Sequence, residues 1–417
     1  MNRKLETRES RQSLPAWFLF VLASYFVACY AVALHWYDLG IFSRNDLLFS
    51  ADPNTNLKSL ANGWGWGRNA LSHPLLEYFA ALPRLGAEVF AFTFKIDDKL
   101  LVRDYLAMLY PPFFGALSGA ILFRLCTLSG YNKHQSAQVS LTYLLSFSCL
   151  IFSITPEAYA LAGFFLIALL YYYRVCEQRG CGSHRVWWAL GIMHAGITIT
   201  NVLVYCLAYW LFLRRVVKYS PTRSICLATL SVAAAISVGF AGLRLGVYLV
   251  DGTIGPEGGI NWISAFSSFS ISELGGRWGG LLQSFLNTFA PLNWSTGDNG
   301  LTFSKNLQTA SSALWTGAFF LPVLALAIPR LRQMYSTDLL TLLSGIMVFN
   351  FALHSVFGDE LFLYSQHWLA ALTLLLAPGL AGAPWMQIAI GALASVAAAC
   401  NVYFVLHTVP AQLGSFL

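Results

Sequence analysis

Charge is scarce in this chain: Asp, Glu, Lys and Arg make up 11% of its 417 residues, against about 25% in an ordinary soluble domain. Long polar stretches are missing too, so no segment is large enough to fold in water alone. Of the eight cysteines, Cys29, Cys126, Cys149, Cys206, Cys226 and Cys400 fall in or beside apolar runs. There they act as small hydrophobes and imply no disulfide framework. Cys176 and Cys181 share a short loop but lack two further ligands, which makes a poor zinc signature. The net charge is +6, yet the Lys and Arg residues are scattered through short loops. That pattern excludes a nucleic-acid footprint and matches the positive-inside bias of membrane proteins.

What is abundant is apolar: 57% of the chain, in runs of roughly 20 residues, the length that crosses a bilayer core. The reading is an all-α, polytopic bundle forming a single transmembrane domain over residues 1–417. The run Trp17 to Leu34 follows Arg3, Lys4, Arg8 and Arg11. It is too long for a signal-peptide core and no small-residue cleavage site follows, so it reads as a retained first span with the N-terminus cytoplasmic. A first outer loop covers 36–104. Spans are expected at about 105–125, then one that reaches Ile154, then one at 158–173.

The stretch Val186 to Leu213 has basic residues at both flanks, Arg185 before it and Arg214, Arg215 and Lys218 after it. One crossing cannot put both flanks on the same side. Two short helices in a hairpin can, with the turn near GITITN, Gly196 to Asn201, where polar side chains satisfy the broken backbone. A span at 224–250, a second long outer loop at 251–310 and spans near 311–328, 338–356, 361–380 and 385–405 complete about eleven. Within the first loop, Leu75, Phe79 and Leu82 recur at helical spacing, predicting an amphipathic helix over 74–92 that lies on the membrane surface.

This topology gathers Asp46, Asp52, His73, Glu157, Asp359 and Glu360 on one side. Three stretches set polar residues against apolar ones: LLFSADPNTN with the following SHPLL, SITPEAYAL, and NFALHSVFGDELFLYSQHW. Glu157 stands at a helix start, where the macrodipole alone would favour an acid. Tyr364 and His367 are expected one turn apart, and Asn350 and His354 on one helical face. A polar group placed that deep usually faces a cavity.

LFSAD, HPLL, TPEAYAL, GITITN and FGDELFLYSQHW, with the large first outer loop and paired short central helices, resemble the GT-C class of integral membrane glycosyltransferases. The resemblance implies transfer of a sugar from a polyprenyl-phosphate donor to a lipid or glycan acceptor at the periplasmic face of a bacterial inner membrane. By that resemblance an acidic residue of the first loop is the general base, Asp52 first and Asp46 second. Asp52 sits between Ala51 and Pro53, where many members carry two adjacent acids. Lys58, Arg68, His73, Glu157, Asn201, His354, Glu360, Tyr364 and His367 are the substrate-binding candidates, with Arg244 a further cation. Trp262, Trp278 and Trp294 offer a stacking surface for a glycan or an interfacial belt. The resemblance fixes no cofactor. A divalent metal stays open, since no clear ligand set appears. The rival readings are a flippase for a lipid-linked glycan and an oligosaccharide transferase of the ligase or polymerase type.

Overall fold

The computed structural model describes residues 13–62, 73–251, 283–292, 294–297, 300–303, 320–356, 361–380 and 384–414. The helices run in the order α1 (Ala16–Asp38), α2 (Pro53–Asn62), α3 (Ala81–Phe94), α4 (Lys99–Ala107), α5 (Tyr110–Leu128), α6 (Lys133–Leu144), α7 (Phe147–Ile154) and α8 (Tyr159–Arg179). They continue with α9 (His184–Ile197), α10 (Val202–Leu211), α11 (Pro221–Asp251), α12 (Leu321–Met334), α13 (Thr337–Val356), α14 (Leu369–Leu380), α15 (Pro384–Tyr403) and α16 (Val409–Leu413). Among the described residues, seven helices are long and apolar enough to cross a membrane: Ala16–Asp38, Lys99–Leu128, Tyr159–Arg179, Ile199–Val216, Pro221–Leu245, Thr337–Ser355 and Gly391–Leu413. The chain is therefore a multi-pass, essentially all-helical membrane protein.

An eighth candidate is the pair α6 and α7, bent by 63° at their junction. Ser146 opens α7, its Oγ accepting from the Cys149 N–H at 3.3 Å, the usual work of an N-cap serine. The Leu145 carbonyl released by the break takes a bond from Asn401 Nδ2 at 2.8 Å. The same amide nitrogen reaches the Phe289 carbonyl at 2.8 Å, so one buried asparagine pins the bend to two distant segments.

Residues 184–211 form the expected hairpin. His184 Nδ1 meets the Tyr209 hydroxyl at 2.9 Å, while further along a Cβ on Gly191 would come within 2.7 Å of the Tyr205 ring. The turn is the 3-10 segment Ile199–Asn201. Helix α8 runs antiparallel to α9, for Tyr172 binds the Ser183 carbonyl at 3.2 Å and His194 the Phe165 carbonyl at 3.2 Å. On the other flank the Arg215–Asp338 ion pair, 3.0 Å, ties the end of the hairpin to the start of α13. Arg174, Arg179, Arg185, Arg214 and Arg215 thus share one end of the bundle. The start of α8, the hairpin turn and the end of α13 share the other.

The first loop departs from its expected form. Residues Leu76–Ala80 are 3-10 and only then does α3 begin. Leu75 packs on Gly196 and Phe79 on Tyr110, with centroids 5.6 Å apart, so both face the protein. Leu82 instead faces outward and is 68% exposed, with Leu85, Val89 and Phe92. The inward face of α3 is the small set Pro83, Ala87 and Ala91. Leu75 and Phe79 are drawn inward by the vacancy at Gly196 and by the Tyr110 ring, and Leu82 has no such contact. Glu77 is buried rather than solvent-facing.

One antiparallel hairpin, β1 (Trp294–Gly297) and β2 (Gly300–Phe303), belongs to the second long loop, with Trp294 opposite Phe303. It grips the first loop: Leu301 N donates to the Leu47 carbonyl and Phe49 N to the Leu301 carbonyl, both 2.8 Å. Gly300, at φ 134°, lies against the Leu47 backbone, where any Cβ would clash. Trp294 packs edge-on against Phe404 at 5.1 Å, which makes it part of this clamp. Trp262 and Trp278 lie outside the described residues.

The hairpin packing generates a stability prediction. Gly191→Val forces a branched side chain into the Tyr205 ring, whose hydroxyl is held by Ser231 at 2.6 Å. The expected cost is about 1–3 kcal/mol, read as a lowered thermal midpoint in detergent. An unchanged midpoint would contradict the tight α9–α10 contact.

Candidate functional site

Glu157 lies in the short link between α7 and α8 and is buried at 2% exposure. Its Oε1 accepts from the Asp52 backbone N–H at 2.5 Å and its Oε2 from Asn56 Nδ2 at 2.6 Å. Pro53 opens α2, so the carboxylate sits at that helix start, where free N–H groups and the dipole favour an anion. Burial, and then the charge of Asp52, push the Glu157 carboxyl up to about 8, against the pull of its hydrogen bonds. Asp52 itself is half-buried and is raised by burial first and by Asp46 second. One acid is tuned by enclosure to keep its proton near neutrality. The other is left partly open beside it.

The segment leading to Asp52 is bent sharply. Asp46, Phe49 and Ser50 all take left-handed backbone angles, φ 65°, 52° and 57°, which cost a Phe most because its Cβ crowds the carbonyl. What holds Phe49 there is an aromatic nest: it stacks on Phe303 at 4.4 Å and meets Phe147 at 5.6 Å and Phe362 at 5.4 Å. Asp46 is exposed. Lys58 is exposed and near Asp104. Two residues beyond Asn56 it is rotated by about 200° around α2, away from Glu157.

Across from the acids stands a set of rings. Helical bonding places Asn350 and His354 on one face of α13, as the spacing predicted. Asn350 Nδ2 reaches the His367 carbonyl at 3.3 Å. Residues Leu361–His367 form a 3-10 helix instead of the first turns of an α-helical span, so Tyr364 and His367, three apart, align directly. Ser365 and Gln366 account for the tighter turn, both reaching Ser148, at 2.6 and 2.8 Å. His354 stacks on Tyr364 with centroids 4.2 Å apart. Tyr159 links this group to the acids: its ring lies 6.2 Å from Tyr364 and 6.0 Å from His367, and its hydroxyl is within electrostatic range of Glu157 and Asp52.

His73 comes to the same end from the first loop, its Nδ1 bonded to the Ile197 carbonyl at the hairpin turn. Because a carbonyl only accepts, Nδ1 carries the proton. Burial holds this imidazole below its ordinary range, so the neutral ring offers a lone pair at Nε2. His367 lies within electrostatic range of His354, His73 and His194, and both of its buried ring nitrogens lack a partner. His194 Nδ1, Thr198 Oγ1, Asn201 Oδ1, Asn350 Oδ1 and Thr155 Oγ1 are likewise buried and unpartnered. Buried polar atoms are normally satisfied, and a cluster that is not asks for water or a polar ligand.

Asp52, His73, Glu157, Asn201, His354, Tyr364 and His367 therefore gather at one end of the bundle, Asp46 lies at its rim, and Lys58 lies apart. Arg244 is exposed on α11. Arg68 and Glu360 lie outside the described residues, as does Asp359. Sequence reasoning missed Asn56, Tyr159 and His194. Asn56 is one helical turn past Asp52, Tyr159 two residues past Glu157, and His194 is a polar residue in an apolar helix, so each carried a positional signal. No group of three or more His, Cys, Asp or Glu residues has the arrangement to hold a metal ion among the described residues.

No protein-family model matches the chain, and no curated protein or solved structure matches it either. The acid pair can be tested on its own physics. With its pKa raised from 4.5 to about 8, folded Glu157 binds a proton that the unfolded chain has already released in that window. Stability is fully present below pH 4.5, falls as pH rises toward 8 and levels off above it. Asp52 shifts in the same direction. Thermal midpoints should thus decline from pH 5 to 8, and Glu157→Gln should flatten the decline. A wild type with no such slope would refute the enclosure of Glu157.

Proposed function

We propose that this chain is a GT-C-type glycosyltransferase of a bacterial cytoplasmic membrane. In this reading it moves a sugar from a polyprenyl-phosphate carrier to a lipid or glycan acceptor at the periplasmic face. The observation that carries the reading is the gathering of Asp52, Glu157, His73, Tyr364 and His367 at the bundle end opposite the arginines. With the arginine end cytoplasmic by the positive-inside rule, that group faces outward. Counting the seven long helices, the bent pair and the shorter α9, α12 and α14 as crossings gives eleven. A transporter would need buried titratable groups on both sides of the midplane, and the buried carboxyl and imidazole side chains among the described residues, Glu77, Glu157, His194, His354 and His367, lie on this one.

In the reaction, the acceptor hydroxyl oxygen bonds to the anomeric carbon of the sugar while the bond from that carbon to the carrier phosphate breaks. The hydroxyl proton passes to the Asp52 carboxylate, and the phosphate leaves with its electron pair on the lipid carrier. A half-buried Asp52 with a raised pKa is a stronger base than a solvated one. Glu157 holds the Asp52 backbone in place and keeps like charge low beside it. The neutral His73 and the unpartnered imidazole of His367 suit sugar hydroxyls better than a phosphate charge, which leaves Arg68 as the first-loop candidate for the leaving group.

Purified protein supplied with polyprenyl-phosphate sugars and a lipid or glycan extract tests this. Asp52→Asn is expected to slow transfer by roughly 10²–10⁴-fold, the usual contribution of a general base, with the fold intact. Full activity in Asp52→Asn together with loss in Asp46→Asn would move the base to Asp46. Failure of the wild type with every donor would favour the flippase.

A further inference from the structure

A second feature has its mouth at the opposite, arginine-bearing end. A cavity of about 360 Å³ opens between the start of α1, one face of α6 and α15. It lines α6 from His134 to Leu145, a reach of about 16 Å at 1.5 Å per residue. The room comes from α15, where the lining residues Gly391, Ala394 and Ala398 are small. A Cβ on Gly391 would find only Gln138 Nε2, at 3.8 Å. The far end is closed by Ser146 and Phe289 at the α6–α7 bend, where Asn401 fixes both backbones. At the mouth Trp17 and His134 stack at 6.2 Å, and Lys133 and His134 are exposed.

We propose that this cavity binds one acyl chain of an anionic phospholipid, whose headgroup rests on Lys133 and His134. Three observations converge on that occupant. Helices α1 and α15 are of spanning length and apolar, so the cavity opens where the surrounding solvent is hydrocarbon. Its volume is at the small end for ligand pockets, sized for a single chain and not for a polyprenyl carrier. The mouth offers the His134 ring as a hydrogen-bonding group, and the first turn of α6, a twelve-residue helix capped by Asn132, adds the exposed Lys133 ammonium beside it, which together favour a negative headgroup. The site stands independently of the glycosyltransferase reading, with its mouth at the other end of the bundle.

Native mass spectrometry of protein extracted in mild detergent, then offered equal phosphatidylglycerol and phosphatidylethanolamine of matched chains, tests it. The wild type is expected to retain one phosphatidylglycerol through delipidation. Gly391→Phe, which fills the cavity, should lower that retention by about tenfold or more, and Gly391→Ala should keep it. Lys133→Gln combined with His134→Gln should keep a lipid but lose the preference for phosphatidylglycerol. If Gly391→Phe does not fold, Ala394→Leu takes its place. No retained phospholipid in the wild type, a retained polyprenyl lipid, no headgroup preference, or equal retention in the filled variants would each overturn the proposal.

Discussion

The carboxylate of Glu157 is enclosed at the end of the bundle, and what it finds there in place of water decides how the first long loop is held. A buried acid must be neutralised or supplied with donors, or it costs several kcal/mol. Glu157 takes the Asp52 N–H and the Asn56 amide, both from the loop, while its own backbone belongs to the rigid link before α8. One side chain therefore docks loop to bundle, sets the start of α2, and brings Asp52 beside the ring cluster of Tyr159, Tyr364 and His367. The left-handed turn at Asp46, Phe49 and Ser50 is tolerated because this contact holds one side of it. The β-hairpin and the Phe49 nest hold the other.

Most of the helical architecture was legible in the chain because lipid imposes strong rules on sequence. Apolar runs of spanning length, and basic flanks that force the 186–213 stretch to double back, leave little freedom, and the hairpin turn falls at GITITN as the charges required. The local conformations were less readable. Nothing in apolar periodicity distinguishes a 3-10 segment from the first turn of an α-helix. That choice at Leu361–His367 was made by Ser365 and Gln366 reaching Ser148, more than two hundred residues away in sequence. The same applies to 74–92, where Leu75 is drawn inward by the absence of a side chain at Gly196. A pattern of one segment cannot report the vacancy left by another.

The candidate site was legible in part for the same reason. Asp52, Glu157, His73, Tyr364 and His367 stood out as polar residues set against apolar runs. Asn56 and Tyr159 did not, since each occupies an ordinary position in a helix and matters only through its neighbour. Lys58 is the converse case: it stands near Asp52 in sequence, but a rotation of about 200° around α2 from Asn56 turns it away from Glu157.

The two ends of the molecule differ in how their charged groups are met, although buried polar atoms without partners occur at both, Tyr173 Oη, Arg174 Nε and Trp187 Nε1 among them at the arginine end. At the arginine end, Arg174 pairs with Glu177 at 2.5 Å and Arg215 with Asp338 at 3.0 Å, so charges are matched within the protein. At the other end His367, His194, Asn201 and Asn350 keep buried atoms without partners, although the surrounding packing is tight enough to bury them almost completely. Packing alone would have selected apolar residues there, since an unsatisfied buried donor or acceptor costs about 1–3 kcal/mol. Several such costs fall within one group of residues, which is why the reading proposed above sets a polar substrate there.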